Sequence, residues 1–308
     1  MDNPIIDFER SIYVDPQGRE FHYIHVNRGN SDLGIHFSAF FGDWGDHPKY
    51  RQTFGGYFHR LKMLSSDQSM DWLFLCDAYG ADGNGTYYIG KCSDRFVELA
   101  VLEILVIIGF GSRYSADQSV MIGSSMGATA ALKFGLLLQS KGVVAITPHI
   151  DLDICAQLQG RERHVQWVLD FGDTQSPANY PTTRQIRSIL NEKLDDSSEI
   201  PNMFIQSCRD DHGVHFEQVV PLIQEWRKSN SRVWFDDRRS GGHTSEFATR
   251  AVILHSTHKL LTDSEIPVFR YKWTRKFRPY GLLNGAYLRA RRRLGRVIRS
   301  LLPYKDSK

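Results

Sequence analysis

The chain has few cysteines, and their spacing matches no metal-binding or disulfide motif. Four cysteines occur in 308 residues, and no two of them form a C-x-x-C pair. This argues against a zinc site and gives no disulfide framework, so we expect reduced thiols in the core and no metal. They are Cys76, Cys92, Cys155 and Cys208. Cys208 is close enough in sequence to the candidate site residues below to matter there.

Long hydrophobic runs are also missing. The most apolar stretch, Leu99 to Phe110, is interrupted by Glu103 and is too short to span a bilayer, so it predicts a buried core helix. Residues 1–9 have neither a basic region nor a long apolar region of the secretory type, which favours a cytoplasmic protein. With 41% hydrophobic and 24% charged residues, the composition is typical of a soluble globular protein.

The small net charge of +3 conceals a basic C-terminal tail. Residues 270–308 contain 13 Lys or Arg and one acid, Asp306, a net charge of +12, which leaves −9 on the rest of the chain. One helical face of the tail is apolar: Leu294, Val297, Ile298, Leu301 and Leu302. Arginines from Arg289 to Arg299 largely surround that face, which predicts an amphipathic helix on an anionic membrane surface. A solvated tail, or a helix docked on the acidic body, is the alternative. No nucleic-acid-binding motif accompanies the charge, so nucleic acid is not an expected partner.

Short β-rich runs alternate with helical patterns along most of the chain. This alternation predicts an α/β fold with a doubly wound, mostly parallel sheet, preceded by a hairpin within residues 11–26. Further strands are predicted at residues 34–41, 72–76, 119–122, 142–146, 201–206 and 232–235. Helices are predicted at residues 93–109, 128–134, 215–228 and 245–261. We assign residues 1–265 to one catalytic domain with a lid insertion at about 148–200, and residues 266–308 to the tail.

A serine-centred motif lies where a strand is expected to turn into a helix. Gly123-Ser124-Ser125-Met126-Gly127 follows an apolar run and precedes an alanine-rich helix. A serine exposed on such a sharp turn needs small neighbours, and the N–H of the next residue, Met126, would face a developing oxyanion. The motif predicts Ser125 as a nucleophile, with Ser124 as a turn residue. An ordinary Gly/Ser turn between strand and helix is the alternative.

A serine nucleophile requires a base and an orienting carboxylate. Asp210 and Asp211 follow a predicted strand, and His243 follows the next strand within a glycine-flanked turn. Carboxyl ends of parallel strands meet at one edge of a sheet, so these groups are expected to converge on Ser125. The alternative is that the aspartates only cap the next helix.

From Gly34 to Leu261 the chain resembles the α/β-hydrolase superfamily. The resemblance implies Ser125 as nucleophile, His243 as base and Asp210 as acid, with Asp211 as the alternative. It also implies a second oxyanion donor in the Ala39-Phe40-Phe41 region, represented by Phe40. The chain lacks the His-Gly-Gly-Gly pattern of lipases. Four segments carry a narrower likeness: Ser124-Ser125-Met126-Gly127-Ala128, Tyr87-Tyr88-Ile89-Gly90, Asp210-Asp211-His212-Gly213 and Gly242-His243-Thr244-Ser245-Glu246. By these segments the chain is similar to the accessory-Sec and capsule polysaccharide O-acetyltransferases, which implies a glycan acceptor.

A loop rich in glycine and tyrosine follows the predicted strand at residues 72–76. Its aspartates at positions 77 and 82 suggest a calcium loop, but the required glycine and the closing glutamate are missing. Tyr79 and Tyr88 are candidates for stacking on a sugar, and packing at strand edges is the alternative interpretation.

Together these patterns predict a serine-dependent acyl-ester hydrolase or O-acyltransferase, cytoplasmic or peripheral on the inner face of the membrane. Its partners would be an acyl donor and a glycan acceptor, with no resident cofactor. The alternative is a non-catalytic, membrane-peripheral partner of a polysaccharide or glycoprotein assembly system.

Overall fold

The computed structural model describes residues 8–40, 58, 60–91, 94–152, 162–168, 200–229, 231–243 and 247–267. Within them, eight strands form a single sheet. The strands are β1 (Ser11–Val14), β2 (Glu20–Val26), β3 (Leu33–Phe37), β4 (Asp71–Leu75), β5 (Ser119–Ser124), β6 (Gly142–Ile146), β7 (Asn202–Cys208) and β8 (Val233–Arg238). Every predicted strand is therefore present, with bounds that differ by a few residues.

The sheet order is β1-β2-β4-β3-β5-β6-β7-β8. The β1–β2 and β2–β4 pairs are antiparallel, whereas all pairs from β4 to β8 are parallel. The N-terminal hairpin closes through a turn in which the Gly18 N–H donates to the Asp15 carbonyl at 2.9 Å. The prediction of a mostly parallel, doubly wound sheet is confirmed.

The α-helices are α1 (Leu61–Leu64), α2 (Phe96–Ile107), α3 (Met126–Leu138), α4 (Glu162–Val168), α5 (His212–Val214), α6 (Val220–Trp226) and α7 (Arg250–Leu261). A π-helical turn, His215–Val219, joins α5 to α6. The helical segment predicted at residues 215–228 therefore begins three residues earlier. The last helix begins at Arg250 rather than at 245, where Thr249 caps it by accepting from the Val252 N–H.

The central strands are buried on both faces because helices cover the sheet on either side. Every residue of β3, β4, β5 and β6 is buried. Helix α3 packs closely on this sheet where Gly135 meets Val143: a Cβ at Gly135 would lie 2.4 Å from the Val143 side chain. This tight packing fixes α3, which starts at the candidate nucleophile.

A buried ion pair ties α3 to α2. Lys133 Nζ lies 2.9 Å from Glu98 Oε2 and donates to the Tyr88 carbonyl at 2.8 Å. Arg95 also pairs with Glu98. Lys133 and Glu98 are 2% and 1% exposed, so each charge is satisfied inside the protein rather than by water.

The basic tail lies outside the described residues, so the membrane contact of Arg289–Arg299 stays a prediction. The same holds for most of the lid insertion, of which residues 148–152 and α4 are described. Among the helices that the structure describes, none is long and apolar enough to cross a membrane. In the same part of the chain, no group of three or more His, Cys, Asp or Glu side chains is arranged to hold a metal ion.

Candidate active site

Ser125 occupies a strained turn between β5 and α3. Its φ and ψ are 53° and −120°, a conformation that residues with a Cβ rarely adopt. The Ser125 N–H donates to the Ile146 carbonyl of the neighbouring strand at 2.8 Å, which helps to hold this backbone. Strain of this kind persists only where the surroundings enforce it, and it is typical of functional sites.

The two glycines of the motif are required by close backbone contacts. A Cβ on Gly123 would lie 2.1 Å from the Gly127 carbonyl oxygen. On Gly127 it would lie 2.2 Å from the Phe37 carbonyl oxygen at the end of β3. Neither position has room for a side chain, so the spacing of these glycines allows the strand to turn sharply at Ser125.

Three polar side chains from separate parts of the chain meet at this turn. Ser125 Oγ lies 2.8 Å from His243 Nε2, and His243 Nδ1 lies 2.7 Å from Asp211 Oδ2. The Ser125 hydroxyl can donate to Nε2 when Nδ1 carries the proton and donates it to Asp211. All three residues are half-buried.

Asp210, the carboxylate favoured from the sequence, does not contact His243. Its Oδ1 accepts from the Gly242 N–H at 2.8 Å, and its Oδ2 accepts from the Gly241 N–H at 3.0 Å. The structure therefore corrects the sequence preference: Asp211 meets the imidazole, and Asp210 holds the backbone that leads to it. Adjacent residues in a turn project in different directions, and here only the second points toward His243.

Asp211 does not cap the following helix with its side chain, so the capping interpretation fails. Its backbone is fixed instead, because its N–H donates to the Cys208 carbonyl and its carbonyl accepts from the His215 N–H at 2.8 Å. His215 is anchored in turn by Ser207, whose Oγ lies 2.8 Å from Nδ1. Burial lowers the pKa of His215. These contacts hold the loop that presents the Asp211 carboxylate.

Cys208 lies beneath the same loop as a packing residue. It is 2% exposed, and a Cβ on Gly241 would lie 2.8 Å from its Sγ. Burial, together with the negative charges of Asp210 and Asp211, raises the pKa of the Cys208 thiol to about 12. A thiol that stays protonated is a poor nucleophile, which argues against a catalytic role for Cys208.

The predicted oxyanion donors belong to segments that adjoin Ser125. Met126 is the first residue of α3, where N–H groups have no acceptor within the helix. Phe40 lies three residues beyond the end of β3, the strand against which Gly127 packs. Its ring is partly buried and meets the His164 ring edge-on at 4.9 Å. The use of these two N–H groups as oxyanion donors stays a prediction.

Tyr88 is not placed to stack on a sugar. It is 1% exposed, and its hydroxyl donates to the Leu75 carbonyl at 3.0 Å and to the Ser38 carbonyl at 3.2 Å. The proposed substrate contact of Tyr88 is therefore corrected to a structural role, because its side chain is buried and its hydroxyl bonds to backbone carbonyls. Tyr79 is partly buried, and its hydroxyl donates to the Glu20 carbonyl at 2.8 Å. Packing accounts for Tyr88, and the contact of Tyr79 with a sugar stays a prediction.

A buried carboxylate organises the loop that contains Tyr79. Asp77 accepts from the Thr86 N–H at 2.6 Å, the Thr86 hydroxyl at 2.8 Å and the Tyr88 N–H at 2.8 Å. Burial raises the pKa of Asp77 despite these donors. The loop packs against the turn that contains Ser125: a Cβ on Gly85 would lie 2.5 Å from the side chain of the next residue, Met126.

The sequence analysis did not identify several polar residues around the turn that contains Ser125. His149 stacks on His243, Arg60 Nη1 donates to Ser124 Oγ at 2.6 Å, and Asn84 Nδ2 lies 3.5 Å from His164 Nε2. His149 follows the carboxyl end of the central strand β6, which is where parallel sheets place functional groups, and this position was the available signal. Arg60, Asn84 and His164 come from loop and lid segments that carry no motif.

No protein-family model matches the sequence, and the search of curated proteins found no significant match. Solved structures do resemble it. The capsule O-acetyltransferase of Neisseria meningitidis serogroup A is 20% identical, with a TM-score of 0.60 over 84% of this chain and 96% of that chain. The same enzyme has been solved with CoA, here with a TM-score of 0.54 and 21% identity over 79% of this chain and 91% of that chain.

Two further structures show the same likeness. The fluorophosphonate-binding serine hydrolase FphF of Staphylococcus aureus is 13% identical, with a TM-score of 0.59 over 82% of this chain and 98% of that chain. The Gap123 glycosylation-associated protein complex of Streptococcus agalactiae gives 19% identity and a TM-score of 0.55 over 83% of this chain, which spans 47% of that one. The fold is therefore of the α/β-hydrolase type, as the sequence indicated.

Proposed function

We propose that this protein is a serine enzyme that transfers an acyl group through an acyl-Ser125 intermediate. The observation that carries the proposal is the continuous chain of short contacts from Ser125 to His243 and Asp211, at 2.8 and 2.7 Å, with the serine on a strained turn. This arrangement supplies a nucleophile, a base within hydrogen-bond reach and a carboxylate that orients the base.

In the first half-reaction, Ser125 Oγ attacks the carbonyl carbon of an acyl ester or thioester while its proton moves to His243 Nε2. The tetrahedral oxyanion accepts hydrogen bonds from the N–H groups of Met126 and Phe40. Its collapse breaks the bond to the leaving alkoxide or thiolate, which takes the proton from His243. Asp211 remains ionised throughout and stabilises the imidazolium.

In the second half-reaction, water or an alcohol gives its proton to His243 and attacks the acyl carbon. Collapse of the second oxyanion releases the acid or the new ester, and Ser125 regains its proton from His243. Hydrolase and transferase share all of these steps. They differ only in which hydroxyl reaches the acyl-enzyme, which depends on how well the site excludes water.

A hydroxyl of a surface glycan is the acceptor that we favour. Two structural neighbours support this choice by their names, a capsule O-acetyltransferase and a glycosylation-associated protein complex. The first of these enzymes was also solved with CoA, which makes acetyl-CoA the first donor to test. In this proposal the donor is a co-substrate, and the protein itself needs no bound cofactor.

The proposal is tested by trapping the intermediate. Purified protein is mixed with p-nitrophenyl acetate or with acetyl-CoA, quenched in acid within seconds and measured by intact-protein mass spectrometry. We expect an added acetyl group, about 42 Da, that is absent in Ser125→Ala and strongly reduced in His243→Ala. Equal acetylation of wild type and Ser125→Ala would contradict the proposal.

A second candidate function is a non-catalytic partner in a glycan or glycoprotein assembly system. It is favoured by the likeness to the Gap123 complex, in which this chain corresponds to about half of a longer chain. Such a protein would acquire no acyl group on Ser125 from either donor. Loss of association with its assembly system on deletion of residues 270–308 would then be expected, with Ser125→Ala as the silent control.

A further inference from the structure

A second imidazole lies flat against the candidate base. The ring centroids of His149 and His243 are 4.6 Å apart, and the ring planes differ by 12°. This is a stacked aromatic pair at the short end of the usual separation. His149 is fully buried, whereas His243 is partly exposed, so the His149 ring covers the interior face of the His243 ring.

His149 is fixed to the same helix that presents the nucleophile. Its carbonyl accepts from the Thr129 hydroxyl at 2.8 Å, and its N–H lies 3.2 Å from the same oxygen. Thr129 sits one turn along α3, and its own N–H donates to the Ser125 carbonyl at 3.1 Å. On the other side, the Tyr87 hydroxyl lies 3.1 Å from His149 Nδ1. These contacts fix the position of the His149 ring relative to Ser125.

Two glycines precede His243. Gly241 and Gly242 have φ values of 143° and 61°, and within the part of the chain that the structure describes, no heavy atom other than those of its chain neighbours lies within 4 Å of the place where a Cβ on Gly242 would stand. Glycines allow such a segment to change conformation readily. Asp210 restrains it through the two backbone N–H groups, but those contacts are exposed.

Two hydrogen bonds alone do not fix the plane of an imidazole. The contacts of His243 with Ser125 and Asp211 hold its two nitrogens, yet the ring can still swing about the line that joins these partners. A flat surface against one face blocks that swing toward the interior. The lone pair of Nε2 must point at the Ser125 hydroxyl while the proton moves, so a tilted ring misdirects this hydrogen bond. A geometric error equivalent to about 1 Å can cost on the order of 100-fold in rate.

We infer that His149 is a positioning residue for His243, whose flat ring keeps the base aligned with Ser125. This inference rests on the proposed function, because it concerns the same base. It assigns to His149 no contact with the substrate and no transfer of the proton. The requirement is for a flat ring, so an aromatic replacement should serve better than an aliphatic one of similar volume.

Three variants separate this role from ordinary core packing. His149→Phe keeps a flat ring, and His149→Leu keeps apolar volume without one. His36→Leu makes the same change at another fully buried histidine, which packs near Phe74 in the sheet. Each is purified, its melting temperature is recorded, and steady-state hydrolysis of p-nitrophenyl acetate gives kcat and KM separately.

We expect His149→Leu to lower kcat by about 10- to 100-fold with KM little changed, because alignment matters in the transition state. His149→Phe should restore kcat to within about fivefold of the wild type, and His36→Leu should keep full activity at a comparable loss of melting temperature. In a His243→Ala background, His149→Leu should have almost no further effect, since there is no ring left to align.

Two results would overturn the inference alone: unchanged kcat in His149→Leu, or equal losses in His149→Phe and His149→Leu that track their melting temperatures. If His149→Leu is too unstable to assay, His149→Met supplies the aliphatic replacement in the same comparison with His149→Phe. In the His243→Ala background, additive losses mean that His149 acts elsewhere. Turnover that survives Ser125→Ala and His243→Ala overturns the proposed function, and this inference with it.

Discussion

Replacement of the two adjacent aspartates should have very different effects on turnover. Asp211→Asn removes the carboxylate that lies 2.7 Å from His243 Nδ1, with almost no change in shape. The new amide can donate to Nδ1 and thereby place the imidazole proton on Nε2, facing Ser125. In that tautomer the base cannot accept the serine proton. The change therefore acts on chemistry rather than on packing.

The expected magnitude follows from the triad template. Loss of the correct tautomer costs about 10⁴ in kcat where the same substitution has been made in a serine protease triad. This corresponds to about 5.5 kcal/mol of transition-state stabilisation, since each factor of ten is about 1.36 kcal/mol. The Asp211 and His243 side chains are 16% and 21% exposed, so water can replace only part of the interaction.

Asp210→Asn is the matched control, because it makes the same chemical change one residue away. The remaining amide oxygen can still accept from one of the two glycine N–H groups, and the contacts are exposed. We expect the loss of one such charge-assisted contact to lower kcat by about tenfold at most.

Steady-state hydrolysis of p-nitrophenyl acetate measures both variants, and urea unfolding shows whether either has lost stability. The account predicts near-complete loss of turnover for Asp211→Asn and modest loss for Asp210→Asn. The reverse order, in proteins of equal stability, would refute the assignment of Asp211 and restore the preference drawn from the sequence.

Further predictions concern stability. Because the folded pKa of Cys208 is raised to about 12 from 9.0, the unfolded thiol ionises first, so unfolding free energy should fall from pH 9 toward 12. Cys208→Ala should remove that part of the slope in urea titrations. Lys133→Met should cost about 3 kcal/mol in urea unfolding by leaving Glu98 buried without this partner, and Glu98→Leu should recover part of it. If Lys133→Met alone is neutral, the pair contributes nothing. Gly127→Ala should lower stability by about 3 kcal/mol because its Cβ meets the Phe37 carbonyl; a fully active, stable variant would contradict the close contact.

The sheet and its order of elements could be predicted because the signal is local. A run such as residues 142–146 is apolar throughout, which is typical of a strand covered by helices on both faces. The turn at Ser125 was also readable, since the glycines at positions 123 and 127 leave no room for side chains and occur at a recognisable spacing. The strand and helix bounds differ more, because capping contacts such as that of Thr249 set them.

The roles of individual site residues depend on the directions in which their side chains point, and the sequence does not show those directions. Asp210 and Asp211 are equivalent as residues, and only the turn after β7 directs the second toward His243. The sequence shows Tyr88 as an aromatic residue in a loop, whereas the structure buries it in the core. His149 has no motif, and its role emerges only from the stacked geometry with His243.

Covalent labelling with a fluorescent fluorophosphonate probe shows whether Ser125 is an activated nucleophile. Wild type, Ser125→Ala and His243→Ala are incubated at equal concentration, and the rate of labelling is followed on a gel, with melting temperatures to show that each protein is folded. The account predicts rapid labelling of the wild type, none of Ser125→Ala and slow labelling of His243→Ala. A folded wild type that remains unlabelled, or labelling that persists in Ser125→Ala, would contradict it.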